Sequence, residues 1–153
     1  MTKRFLLADD DADDRELFRE AISEVDPSII CYCAGNGAEV LEKLNSKEFL
    51  EPGIIFLDIN MPAMNGWQCL TKLKETPAYL HIPVIMYSTS SHQREVDIAL
   101  ELGALCFFTK PSDFNQLKII LEVIAANLKG NILQAISKYE SIKAKKNIRV
   151  KEL

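Results

Sequence analysis

Four acidic residues stand where apolar runs end. Asp9-Asp10-Asp11 follow Phe5-Leu6-Leu7-Ala8, and Asp58 follows Ile54-Ile55-Phe56-Leu57. Ser88 closes a third run, Val84–Tyr87, and Lys110-Pro111 follows a fourth, Cys106-Phe107-Phe108-Thr109. Two carboxylates ~4 Å apart repel by ~4 kcal/mol at an effective dielectric of 20, so a cluster of them holds either a proton or a cation. Hard oxygen donors with open positions suit Mg²⁺, and Mn²⁺ accepts the same set. A carboxylate can also be a nucleophile that forms an aspartyl phosphate. A nucleophile, a divalent cation, a lysine and a hydroxyl donor together make a phosphoryl-transfer constellation, in which cations and donors stabilise charge on three equatorial oxygens. Asp58 is the best nucleophile, because Asp9 and Asp10 form a pair suited to metal. Asp11, Asp13 and Asp14 read instead as acids at a helix start, where capping and the helix dipole favour them.

These residues work together only if the fold gathers them. Strands are predicted at Arg4–Ala8, Ile29–Cys33, Ile54–Leu57, Val84–Tyr87 and Ala104–Phe108, as continuous apolar runs of the kind parallel strands show when both faces are covered. Helices are predicted near 13–25, 37–45, 66–75, 92–101 and 113–128, the first with an apolar stripe of Leu17, Ala21, Ile22 and Val25. Alternating strands and helices imply an α/β doubly wound parallel sheet with right-handed crossovers. The order 2-1-3-4-5 sets strands one and three side by side, with the working site at their carboxyl ends. After Gly130-Asn131, apolar residues Ile132, Ala135, Ile136, Tyr139 and Ile142 predict a sixth, amphipathic helix, with Gly130 as a helix-capping glycine.

At 153 residues the chain fits one domain. The start reaches Asp9 after four apolar residues, too short for a secretory signal, and no run approaches the ~20 residues of a membrane span, so a cytoplasmic location is expected. Four cysteines without metal-ligand spacing to His81 or His92 exclude a zinc site and are expected at core or boundary positions. Residues 1–129 carry 12 basic and 20 acidic side chains, whereas residues 130–153 carry 6 and 2. The basic tail reads as a solvated helix face, having one tyrosine and no base-reading element.

The four pieces, in order and at strand ends, resemble the receiver domain of two-component response regulators, of the CheY-like (flavodoxin-like) five-stranded type. The resemblance covers residues 3–128 and includes Asp9-Asp10, the run from Asp58 to Gly66, Ser88-Thr89 and Lys110-Pro111. It implies Asp58 as phosphoacceptor and Asp10 and Asp58 as direct Mg²⁺ ligands, with Asp9 acting through water and Asn60 through its backbone carbonyl. It implies that Lys110 contacts the phosphoryl group, that the Lys110–Pro111 peptide is cis, and that Ser88 and Phe107 are switch residues. Phe107 departs from the frequent tyrosine and lacks its hydroxyl, so either it swings or it is static core. Asn60 and Ser90 would flank the site and set hydrolysis of the acyl phosphate.

The implied function is a stand-alone regulator that accepts phosphate from a sensor histidine kinase or histidine phosphotransfer protein and signals by protein contact. No DNA-binding domain and no membrane association are expected, and no enzymatic activity beyond its own aspartyl phosphorylation and dephosphorylation. Arg15, Phe18 and Arg19 are exposed candidates for kinase contact. The segment 130–153 is expected either to pack on its own domain or to support a homodimer, through Ile132, Ile136, Tyr139 and Ile142 or the face of the fourth and fifth helices. Two rivals fit less well. A haloacid-dehalogenase-like phosphatase needs an acid where Asn60 stands, and in a flavodoxin-like carrier Asp9-Asp10-Asp11 would repel the FMN phosphate.

Overall fold

The computed structural model describes residues 2–90, 92–139 and 148–150. Strands β1 (Arg4–Ala8), β2 (Ile30–Ala34), β3 (Ile54–Leu57), β4 (Val84–Ser88) and β5 (Cys106–Thr109) alternate with helices α1 (Ala12–Val25), α2 (Gly37–Asn45), α3 (Gly66–Glu75), α4 (Gln93–Glu101) and α5 (Phe114–Ala126). The five strands are parallel in the order β2-β1-β3-β4-β5, as the apolar runs predict. A sixth helix, α6 (Ile132–Tyr139), follows, and a short strand, β6 (Ile148–Arg149), pairs antiparallel with β5. The sheet is therefore six-stranded. The sequence offers no signal for β6, because two residues are too short to show a period.

Each face of the sheet buries its own core. One holds Phe5, Leu7, Phe56 and Phe108 beneath α1, α5 and α6; the other holds Leu6, Ile55, Val84 and Phe107 beneath α2, α3 and α4. On the first face Phe18, Phe56, Tyr87 and Phe108 form a chain of aromatic contacts, with ring centroids 5.0 Å apart for Phe18–Phe56, 6.2 Å for Phe56–Tyr87 and 5.4 Å for Tyr87–Phe108. Ala21 and Ile22 are buried and Val25 packs against the core as the stripe predicts, but Phe18, fully buried, takes the inward place of Leu17, which is 47% exposed. One residue turns a helix by about 100°. The bulkier aromatic ring fills the inward position, so Phe18 is no surface contact.

Helix α6 starts with Asn131, whose Oδ1 accepts from the Gln134 amide at 2.9 Å. Its Ile132 and Ile136 are buried in the α1/α5 core, which settles their packing on this chain. Half of the expected dimer face is thus committed to the core, while the Tyr139 side chain and Ile142 lie outside the described residues. The α4–β5–α5 face is also changed, since β6 covers part of the β5 edge. Gly130 is not a left-handed cap: α5 ends with Asn127 as its C-cap, three residues earlier.

The turn from β3 into α3 fixes the backbone after Asp58. Asn65 caps α3 reciprocally with Gln68, and the Gly66 amide donates to the Ile59 carbonyl at 2.9 Å. A Cβ on Gly66 would lie 2.2 Å from the Asp58 carbonyl oxygen and 2.9 Å from Ile59 Cα. Both are main-chain atoms that cannot turn aside. Gly66→Ala is expected to destabilise the protein by about 2 kcal/mol or more, read as a lower urea midpoint. An unchanged midpoint would show that this turn is not tight.

Candidate functional site

The pairing of β1 with both β2 and β3 brings the carboxyl ends of β1 and β3 together, with Ala8 opposite Leu57. Asp9 and Asp58 follow directly. The Asp58 amide donates to the Ala8 carbonyl at 2.9 Å, and the Asp9 amide to the Ala34 carbonyl at 3.0 Å, so both backbones are held at the sheet edge. Carboxylate oxygens of Asp9, Asp10 and Asp58 all lie within 4.8 Å of one another. Asp9 and Asp58 are buried and Asp10 is exposed, which leaves the cluster open on one side. Three converging carboxylates are a donor set for a hard divalent ion.

Lys110 enters from β5. Its Nζ donates to Asp9 Oδ2 at 2.6 Å, to Asp14 Oδ2 at 2.8 Å and to Asp58 Oδ2 at 3.5 Å. The ammonium also lies 5.4 Å from the centroid of the Tyr87 ring, so the aromatic chain floors the site. Burial opposes the Lys110 charge, but the bonds from Asp14 and Asp9 hold its pKa above the ordinary lysine value. Burial likewise pushes Asp58 up to about 6; the Lys110 charge lowers it and the Asp9 charge raises it. At neutral pH Asp58 is thus mainly ionised. Three carboxylates, of Asp9, Asp14 and Asp58, share one ammonium here, and Asp10 adds a fourth acid to the cluster.

Asp14 is the partner that the sequence reading missed. Asp11 is the α1 N-cap, its Oδ1 accepting from the amides of Asp13 at 2.9 Å and Asp14 at 3.2 Å. Asp14 lies three residues past that cap, which turns it back toward the end of β1. That spacing was the available signal. Arg15 adds a second tie, its Nη1 donating to the Asp9 carbonyl at 2.7 Å. Arg15 is therefore partly committed to the site rather than free on the surface.

Ser88 is fully buried at the end of β4, opposite Thr109, and its Oγ accepts from the Ser90 amide at 3.3 Å. The Ser90 hydroxyl in turn donates to Glu95 of α4. Phe107 is wholly buried on the α4 side of the sheet. Asn60 is exposed, and its backbone supports the charged form of Asp58 by a hydrogen bond. The expected cis peptide is not found: all peptide bonds among the described residues are trans, Lys110–Pro111 included. Trans is the lower-energy form even before proline, and from it the Lys110 amide still bonds the Ser88 carbonyl at 2.8 Å while the ammonium reaches the acids.

The sequence profile of the response regulator receiver domain matches residues 5–122. The chain belongs to the response regulator receiver family. The receiver is 33% identical over 157 residues to protein-glutamate methylesterase/protein-glutamine glutaminase 1 of Syntrophomonas wolfei, covering 95% of this chain and 43% of that protein. It is 30% identical over 121 residues to the chemotaxis protein CheY1 of Helicobacter pylori, covering 79% of this chain and 95% of that protein. Among solved structures, it is similar to the phosphorylated cyanobacterial phytochrome response regulator RcpA, with a TM-score of 0.74 and 27% identity over 81% of this chain and 91% of that one. It is also similar to the Mn²⁺-bound form of response regulator Rcp1, with a TM-score of 0.71 and 26% identity over 81% and 92%.

The chain spans less than half the length of the methylesterase relatives that it matches. They correct one expectation: because several curated relatives carry an enzyme's name, the reading of this receiver as no enzyme does not stand. Among the described residues, no helix is long and apolar enough to cross a membrane.

The contact between Lys110 and the buried Asp9 makes a direct prediction. In the presence of a chelator, Lys110→Met strands Asp9 without its cation and is expected to cost about 3 kcal/mol. Adding Asp9→Asn removes the stranded charge, so a double-mutant cycle by urea unfolding should give a coupling of at least about 1 kcal/mol. Strictly additive losses would contradict the contact.

Proposed function

We propose that this receiver accepts a phosphoryl group on Asp58 from the phosphohistidine of a sensor histidine kinase or phosphotransfer protein and passes the signal on by protein contact. The observation that carries this reading is Asp58 at an open sheet edge, beside the Lys110 ammonium and two further acids. An Asp58 oxygen attacks phosphorus, the P–N bond of the donor breaks, and the leaving imidazole keeps the electron pair. Lys110 can follow the incoming charge, since it already bonds one oxygen of Asp58 and swings on a flexible stem. The carboxylates of Asp9, Asp10 and Asp58 and the Asn60 carbonyl would hold Mg²⁺ or Mn²⁺, which when bound neutralises phosphoryl oxygens.

Ser88 supplies the readout. Its hydroxyl is engaged by the Ser90 amide, and Ser90 is tied to Glu95 on α4. Turning the Ser88 hydroxyl toward a phosphoryl oxygen releases that amide and pulls on α4. Phe107, packed beside α4 in the same core, has to follow or resist. The receiver unit spans residues 3–128, and the signalling surface is formed by α4, β5 and α5. Asn60 and Ser90, on the loops after β3 and β4, would tune hydrolysis of the acyl phosphate.

With Mg²⁺ and a small phosphodonor such as acetyl phosphate, wild type should gain one acid-stable, base-labile phosphoryl group, and Asp58→Asn should gain none. Equal labelling of the two proteins would refute Asp58 as acceptor. Lys110→Ala is expected to slow labelling at least tenfold, which phosphate-affinity electrophoresis reads directly.

A further inference from the structure

Strand β2 is the outer strand of the sheet, and its two cysteines, Cys31 and Cys33, share the face turned toward α1. Both are half-buried, unlike Cys69 and Cys106, which are buried. Arg19 of α1 reaches across and donates its Nε–H to Cys33 Sγ at 3.1 Å. A charged guanidinium hydrogen-bonded to sulfur, at a partly open boundary, is the setting in which a thiol becomes a nucleophile. The groups facing this sulfur are Cys31 on its own strand and Arg19 and Arg15 on α1, with Glu16 acting on Arg19.

We propose that Cys33 is a hydroperoxide-reactive site, activated by Arg19 and separate from the acidic cluster around Asp58. The Cys33 thiolate sulfur forms an S–O bond with one oxygen of hydrogen peroxide while the O–O bond breaks. The departing hydroxide takes a proton from solvent and leaves as water. Sulfur loses two electrons and the peroxide gains them, giving a sulfenic acid.

The electrostatics agree with the geometry. The Cys31 sulfhydryl and the Arg19 guanidinium hold the Cys33 thiol below the ordinary cysteine value, against the burial that raises it, which favours the thiolate. Cys31 is driven the opposite way by the same sulfur contact and by burial, and stays protonated. Two residues apart on an extended strand puts the Cα atoms about 6.6 Å from each other, beyond the separation at which most disulfides form, which favours the sulfenic acid over an internal bridge.

The test treats the full-length protein with hydrogen peroxide at pH 7 and traps sulfenic acid with dimedone, mapping adducts by peptide mass spectrometry. Cys33 is expected to be labelled roughly fivefold or more faster than Cys31. Cys33→Ser should lose that adduct with no gain at Cys31. Arg19 is exposed, so Arg19→Gln should leave the urea midpoint intact while slowing Cys33 several-fold and moving its pH profile upward from about 6. Labelling led by Cys31, a dominant Cys31–Cys33 disulfide, or an Arg19→Gln protein with unchanged rate and pH profile would each overturn the proposal.

Discussion

Among the described residues, Lys110 is the one ammonium shared among the buried acids at the end of β1 and β3, and the site's architecture is arranged around keeping it there. Its contacts with Asp9 and Asp14 are short, and that with Asp58 is longer, so Asp58 is the carboxylate it holds least tightly. The aromatic rings beneath replace water at the floor with a low dielectric, which strengthens each charge interaction and makes each unpaired charge costly. One lysine cannot balance four carboxylates. The remaining negative charge makes the edge a donor set for a hard divalent ion.

Helix α1 connects two chemistries. Its first turn supplies Asp14 to Lys110 and Arg15 to the Asp9 carbonyl, and its second supplies Arg19 to Cys33. Its apolar face meanwhile locks Phe18 against Phe56. The helix is therefore an electrostatic strap across the β1–β2 side of the sheet, and its position is set by packing while its exposed charges face the sites.

The strand-end residues were legible because a parallel strand reads as an apolar run and its end is marked by the first polar residue. That logic places Asp9, Asp58, Ser88 and Lys110 on one edge, where the structure has them. Asp14 was not legible as a partner of Lys110, since a helix-start acid satisfies a local rule without any tertiary contact. Phe18 lies three, four and seven residues before Ala21, Ile22 and Val25, so the helical period itself sets it inward and Leu17, about 100° away, outward. Strand β6 depends on β5 having a free edge, a property of the assembled sheet. The isomer of the Lys110–Pro111 peptide is likewise decided by how the chain leaves β5 and not by the dipeptide.

The central claim is that the acids gathered by β1 and β3 form one site for a divalent cation. Its most direct measurement is the anomalous scattering of manganese in crystals of the protein grown with Mn²⁺. The account requires one strong peak among the carboxylates of Asp9, Asp10 and Asp58, with the Lys110 ammonium still bonded within the same cluster. Manganese found elsewhere, with the three carboxylates unligated at saturating metal, would contradict it.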